Sequence, residues 1–484
     1  MPTLHDVAGM AGVSVATVSN VINNTKHVTA ETRARVERAI ARTGYVPNQA
    51  ARTLARQRNG EQTAPRRKGS EPAIIFVAGE RRRGDKSPAV SLGRMGNALR
   101  ALRVVRAAQP VSRSELARRL DIHRSTVTEI VAPLLTAGVL REESPEQDCV
   151  VRAGRPPVGL SFRDGRGFIA GVSVGVRQTQ VGASTPGGRR LGEVEFETPA
   201  EPAAAMELVR SAVEHLRAVH TERNLRCVSV SVPGMVDAER SRLLYAPHLG
   251  WRDLEVANGL RLTGDDGAVA VVVENDSTAA AIFEARRRLR DGAGEWEDFA
   301  LVRVGTGIGV GLVLGGEVFR GAGVAGGMAG EFGHMTIVAG GKPCVCGNCG
   351  CWERYAAEPG AVSLYTGERP AGGAVQFADV IARAKAGERR ARAVLGRVGE
   401  YLGVGIGNVL AGLGLAHVVV SGRIAGAWEF VREPLNQAVA RSLAGRVAGL
   451  SVEPSEPVGA GLGGALEVAA EHYLTTLAAQ NGAA

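Results

Sequence analysis

The chain has 484 residues, with 58 Lys plus Arg against 49 Asp plus Glu and a formal charge of +9. Met1–Asp164 holds 27 basic and 15 acidic residues and the remainder 31 and 34, so all of the excess positive charge lies in the first third. A 45% hydrophobic content excludes disorder of the whole chain, and 64 glycines without a triplet period exclude collagen. At roughly 100–200 residues per domain the length predicts about three to four domains, the front ones basic. Aromatics make up 4%, so the cores are expected from Val, Leu, Ala and Ile. No charged, apolar leader opens the chain, which points to the cytoplasm. Six cysteines in such a chain argue against a disulfide framework, and four of them lie within Cys344–Cys351.

In chain order, the pattern predicts helices at His5–Ala11, Ser14–Ile22 and Ala30–Thr43, then a last piece from Pro47 to Arg56. Arg58–Pro88 is a basic linker around one apolar run, Ala73–Ala78. Helical periodicity resumes at Leu92–Ala108, Ser112–Leu120 and Ser125–Gly138, with Ser112 and Glu115 spaced as a capping box and a β-wing expected before Arg155–Pro156–Pro157. From Gly167 strands alternate with helices: Phe168–Val174, helix Ala203–His220, Val228–Val232, Val269–Val273, helix Thr278–Arg290, Phe299–Val304, Gly309–Leu314 and Val418–Ser421. About 320 residues of α/β pattern suggest two lobes around a cleft. Leu402–Gly422 is apolar enough to suggest a membrane span, but Asn408, His417 and interspersed glycines make it a buried helix running into a strand.

In the first segment, Val7, Ala8, Ala11, Val13, Val18 and Val21 let two short helices pack around Gly12. Periodicity alone fits a small packing domain as well as a major-groove reader. Leu4–Ala8, Ala11–Asn23, Val28–Thr29 and Gly44–Asn48 closely resemble the LacI-type DNA-binding head over about 55 residues. That resemblance implies base contacts from Val15, Ala16 and Asn20 and phosphate contacts from Ser14, Thr17 and Ser19. It also implies a hinge helix carrying Leu54 as a minor-groove wedge. The second helical module, with Gly96–Leu102, Val111–Leu120, His123–Val131 and the exit Gly154–Pro157, is similar to the winged helix of ROK-family repressors. Its exposed candidates are His123, Arg124, Ser125, Thr126 and Thr128, with Arg124 open to a guanine edge or a phosphate. Two heads on one chain depart from both families.

Downstream, Glu331–His334 is followed by Cys344, Cys346, Cys349 and Cys351 among close glycines, then Glu353. One imidazole and three thiolates complete a closed tetrahedral set, the chemistry of structural zinc. The order resembles the ROK signature, which implies His334, Cys344, Cys346 and Cys351 as zinc ligands and Cys349 as a non-ligand able to substitute for a neighbour. The same resemblance implies a sugar held by Asn275, Asp276, Glu331, His334 and Glu353, with Ala246–Trp251 at the pocket mouth. Asp276 also suits a cap for the following helix.

A kinase on this plan needs glycine turns near phosphate, a metal-holding acid and a base. Gly305–Gly309 and Gly422 supply glycines, and Asp276 stands at the base position. Where the family's kinases carry Asp-x-Gly-x-Thr, this chain has Ser173 to Arg177, and Val176 and Arg177 are expected to crowd the phosphate. The expectation is therefore a multidomain cytoplasmic regulator, a repressor of carbohydrate-metabolism genes with no catalytic residue, no ATP/Mg2+ requirement and no membrane association. Its parts are a LacI-type helix-turn-helix head at 1–57, a linker at 58–88, a winged helix-turn-helix at 89–160 and an actin-like ROK domain at 165–480. Its partners are an operator, a sugar or sugar-phosphate effector, and a second copy or more in a homo-oligomer. The alternative is an ATP-dependent sugar kinase with DNA-binding regulatory heads. A LacI-type protein with a periplasmic-binding-like sensor is opposed by the cysteine cluster.

Overall fold

The computed structural model describes residues 4–14, 17–18, 21, 29–43, 88–143, 158–165, 167–264, 267–291, 296–321, 328–367, 375–446, 449–455 and 459–482. The chain forms two compact units, Met1–Arg83 and Gly84–Ala484.

In the first unit, α1 (Leu4–Ala11) and α2 (Ala30–Thr43) flank a tight turn at Gly12, whose φ of 59° favours glycine. Val7, Ala8, Ala11, Val18, Val21, Val36 and Ala39 close a small core, with Val13 packed at its edge. Ser14 Oγ accepts from the Thr17 N–H at 3.1 Å, the bond expected of a helix cap. The expected Pro47–Arg56 helix and the 58–87 linker lie outside the described residues.

The second unit begins with a winged helix-turn-helix. Its elements are α3 (Pro88–Ala108), β1 (Val111–Ser112), α4 (Arg113–Leu120), α5 (Arg124–Thr136), β2 (Leu140–Glu143) and β3 (Gly159–Phe162), and the strands form an antiparallel sheet in the order β1-β3-β2. Leu102, Val105, Leu116, Leu120, Val127, Val131 and Leu134 fill its core. Half of the expected capping box forms. Ser112 accepts from the Glu115 N–H at 3.2 Å, but the Glu115 carboxylate pairs with Arg118 and Arg119 instead of returning to the backbone.

Two five-stranded sheets follow. The first holds β4 (Gly167–Val174), β5 (Gln178–Ser184), β6 (Arg190–Glu197), β7 (Asn224–Val232) and β8 (Ala270–Asn275) in the order β8-β7-β4-β5-β6. The second holds β9 (Phe299–Val304), β10 (Ile308–Leu314), β11 (Glu317–Phe319), β12 (His417–Ser421) and β13 (Ser451–Pro454) in the order β11-β10-β9-β12-β13. Within each sheet the first three strands run antiparallel and the last two join in parallel. Helix α6 (Pro202–Val219) covers the first sheet. Helices α8 (Arg389–Leu413) and α9 (Trp428–Arg441) cover the second, so the Leu402–Gly422 stretch is a buried helix leading into β12. No helix among the described residues is long and apolar enough to cross a membrane. Two helices, α7 (Asp276–Asp291) after β8 and α10 (Ala460–Gly482) after β13, pack on each other. Gly464 allows the approach: a Cβ there would lie 2.8 Å from the Ala279 backbone.

The winged module docks on the sheet domain through buried ions. Arg103 of α3 donates to Glu471 of α10 at 2.8 Å and to Glu317 of β11 at 2.9 Å, and Arg286 of α7 reaches the other oxygen of Glu471 at 3.0 Å. Burial alone would raise the Glu471 carboxyl, but Arg286 and Arg103 more than offset it and hold it at about 2. A folded pKa below the ordinary 4.5 means stabilisation that is present above about 4.5 and is lost as pH falls toward 2. Replacing Glu471→Gln leaves Arg286 without its charge partner and Arg103 with Glu317 alone, a loss of about 3–5 kcal/mol by analogy with broken buried pairs. Urea unfolding at neutral pH should show this loss, and the variant's stability should decline less steeply on acidification.

Candidate functional site

The turn from β8 into α7 is fixed by one carboxamide. Asn275 Oδ1 accepts from the N–H groups of Ser277 and Thr278 at 2.9 and 3.0 Å, and its Nδ2 donates to the Gly234 carbonyl at 3.0 Å. The cap is therefore Asn275, not Asp276, because the helix starts two residues earlier than its apolar pattern suggests. Asp276 is left in the first turn facing the cleft, where Arg303 of β9 donates to its carboxylate and Ser277 Oγ lies 3.1 Å away.

The cysteine loop closes on itself through Cys344 N–H to Asn348 carbonyl and Gly347 N–H to Cys344 carbonyl bonds, with Gly347 and Gly350 at φ of 94° and 81°. Trp352, fully buried against Gly405 and bonded to the Tyr401 carbonyl at 2.8 Å, anchors the segment. The loop gathers His334, Cys344, Cys346 and Cys351 so that their donor atoms all lie within 4.8 Å of one another. Cys346 and Cys351 sulfurs are 3.7 Å apart, and Cys344 Sγ is 3.6 Å from His334 Nδ1. Tetrahedral bonds of zinc length imply edges of about 3.8 and about 3.5 Å, so the set fits that ion. Cys349 is exposed and outside the group, and burial pushes the Cys344 and Cys351 thiols up.

Against this cluster lies a pocket of about 350 Å³ lined by all five candidate sugar residues, Asn275, Asp276, Glu331, His334 and Glu353. Glu353, with a nearly buried side chain, accepts from Cys344 Sγ at 3.1 Å and from His248 Nε2 at 3.2 Å. Burial would raise its carboxyl, yet the His248 hydrogen bond holds it below the usual range and raises the imidazole in turn. Burial, with Asp276 and Glu353 nearby, pushes Glu331 up to about 7. His334 turns Nδ1 toward the sulfurs and Nε2 toward Glu331 at 3.9 Å, touching both sites at once. Convergent carboxylates and imidazoles of this kind pair with hydroxyl groups of a polyol.

The same pocket is also lined by Gly305, Thr306, Gly307, Gly309 and Gly422, the glycine turns of the kinase reading, with Gly307 close against Glu353 and His248. Val176 lines it as expected, but Arg177 is exposed and outside the lining, because the hairpin after β4 turns its side chain outward. Sequence reasoning missed Arg303, as well as Glu358 and Arg423, which pair at 2.8 Å on the same wall. No local pattern marks a strand arginine that meets a carboxylate 27 residues earlier. The Ser421 hydroxyl is buried beside them with no protein partner among the described residues.

On the winged module, His123 caps α5 by accepting from Ser125 N–H at 3.3 Å, and Arg124, Ser125 and Thr128 stand exposed beside a half-exposed Thr126. In the head, Ser14 is exposed and Thr17 half-buried, whereas Val15, Ala16, Ser19, Asn20 and Leu54 lie outside the described residues.

Two lobes of matching strand order around a polar cleft, preceded by helix-turn-helix modules, define a sugar-kinase-like domain joined to DNA-reading folds. Residues 169–472 match the ROK family, more than half of the chain, and the chain belongs to that family. Residues 3–48 match bacterial regulatory proteins of the lacI family. The chain is 28% identical to the xylose repressor of Bacillus subtilis over 305 residues, 62% of this chain and 75% of that protein. It is 27% identical over 287 residues to a glucokinase of Halalkalibacterium halodurans, covering 56% and 84%. A solved ROK family transcriptional regulator, a homologue of the E. coli MLC protein, shares the fold with a TM-score of 0.63 at 23% identity. It covers 80% of this chain and 98% of its own, more than the sheet domain alone.

Removing the cap with Asn275→Ala should lower stability by about 0.5–2 kcal/mol, measured by thermal unfolding. An unchanged midpoint would return the capping role to Asp276.

Proposed function

We propose that the protein is a DNA-binding transcriptional regulator, a repressor, whose ROK domain binds a sugar or sugar derivative that alters its affinity for DNA. One observation carries this: the pocket keeps its polyol-facing groups while Arg303 ties down Asp276, the carboxylate a kinase needs free as base. Ser173 at the position of the family's kinase acid and Val176 in the lining support the same reading, with no need for ATP or Mg2+. His123, Arg124, Ser125, Thr126 and Thr128 offer polar groups to bases and phosphates, and the LacI-type head offers Ser14, Val15, Ala16, Thr17, Ser19, Asn20 and Leu54. A homodimer presents these heads to two half-sites. The basic first third makes the binding steeply salt-dependent.

His334, Cys344, Cys346 and Cys351 are the residues that would hold structural zinc, which when bound cross-links the loop and leaves no open position for catalysis. Glu353 and His334 then serve the ligand side, so that loop order and pocket order are linked.

Footprinting over the DNA flanking the chain's own gene should reveal a protected site that D-xylose, D-glucose or N-acetylglucosamine weakens or strengthens, and coupled assays should find no ATP turnover on these sugars. Absence of any protected site overturns the regulator reading, and turnover favours the kinase. Elemental analysis of the purified chain should find one zinc per chain. Cys351→Ser should lower that content, and Cys349→Ser should leave it unchanged.

A further inference from the structure

Sixteen residues long, α7 spans about 24 Å from the pocket to the reader. At its start stand Asn275, which caps it, and Asp276, which meets Arg303 in the pocket. At its end, the Leu289 carbonyl accepts from Arg119 of α4 at 3.0 Å, and the Leu289 side chain is buried in the winged module's own core. One turn earlier, Arg286 shares Glu471 with Arg103 of α3. Along its length Ser277, Thr278, Ala279, Ala280, Ala281 and Ile282 are buried, and Gly464 of α10 admits it without spare space. A close-packed helix moves as a body rather than bending, because interiors are dense and poorly compressible.

A second tie runs beside it. Glu274, next to Asn275 and almost fully buried, accepts from Arg320 at 2.8 Å. Arg320 follows β11, whose Glu317 meets Arg103. Both ties therefore converge on the same arginine of the reader.

We propose that α7 is the lever by which occupancy of the pocket reaches the winged helix-turn-helix, with Arg103 and Arg119 as positioning residues at the reader end. The proposal rests on the regulator reading, and it adds the element that moves and the residues that transmit. A ligand that engages Asp276 competes with Arg303 and shifts the head of the helix. The shift arrives at Leu289 and Glu471, where α3 and α4 are held. By linkage, whatever the ligand does to the reader, DNA on the reader does to ligand affinity by the same factor.

The test is hydrogen–deuterium exchange on the full chain, with the pocket end perturbed by Arg303→Thr, which frees Asp276 without touching the reader. Exchange in Arg113–Thr136 should change by about 5-fold or more, within the usual range of coupling between sites. The change should vanish when Arg103→Leu and Arg119→Gln are also present, and persist beside Arg106→Gln, which removes a contact between α3 and Glu467 that does not involve α7. Unaltered exchange in Arg303→Thr, or strictly additive effects, overturns the lever. Should Arg103→Leu fail to fold, Arg103→Lys keeps the charge but loses the forked contact with two carboxylates and gives the same comparison. In a second arm, D-xylose and D-glucose are titrated by calorimetry. Binding that leaves Arg113–Thr136 exchange unaltered also overturns the lever. Failure of every sugar in a wider panel to bind counts against the regulator reading, while the Arg303→Thr series still decides the lever.

Discussion

The carboxamide of Asn275 accepts two helix N–H groups and donates to the Gly234 carbonyl, so one side chain sets the angle between β8 and α7. Glu274 at the end of β8 pairs with the half-buried Arg240 and Arg320, and the turn that Asn275 fixes leaves Asp276, the first helical residue, for the cleft. The pocket floor, the packing of α7 on α10 and the docking of α3 all depend on that junction. Without it a buried helix end would expose unpaired donors, and the charges around it would lose their partners.

The pocket and the cysteine loop share their walls. Glu353 bonds His248 on one side and Cys344 on the other, and His334 faces both. Walls shared in this way hold the pocket and the loop in one geometry together, and such preorganisation favours recognition. Among the described lining residues, four carboxylates, Asp276, Glu331, Glu353 and Glu358, stand with two arginines, Arg303 and Arg423, so this lining is better matched to hydroxyls than to a free anion.

Elements with a marked apolar stripe and a clear cap were legible in the sequence: Ala30–Thr43 and Phe299–Val304 fall where the pattern puts them. The cysteine cluster was legible because ligand chemistry restricts both residue type and spacing, and the four donors indeed converge. Helix Ala460–Gly482 was not, because its first half, Gly461–Ala470, carries Ala, Gly and Leu on nearly every face and is buried on almost all of them, which leaves little polar side to give it a period. Strands Gln178–Ser184 and Arg190–Glu197 escaped notice, the first for its polar start and the second for its charges, since an edge strand carries its polar residues outward. The cap was displaced by one residue because Asn and Asp serve that role about equally. Arg303 was invisible because its meaning lies in a partner on another element.

The two sheets repeat one strand order, and α7 and α10 follow the fifth strand of each, which makes these helices topological counterparts. The winged module breaks this internal symmetry by gripping both: Arg106 and Arg103 hold Glu467 and Glu471 of α10, while Arg119 holds the end of α7. An appendage fastened to two such counterparts acts as a caliper across them. Such a fastening is indifferent to movement of the whole domain and registers only the placement of one helix relative to the other.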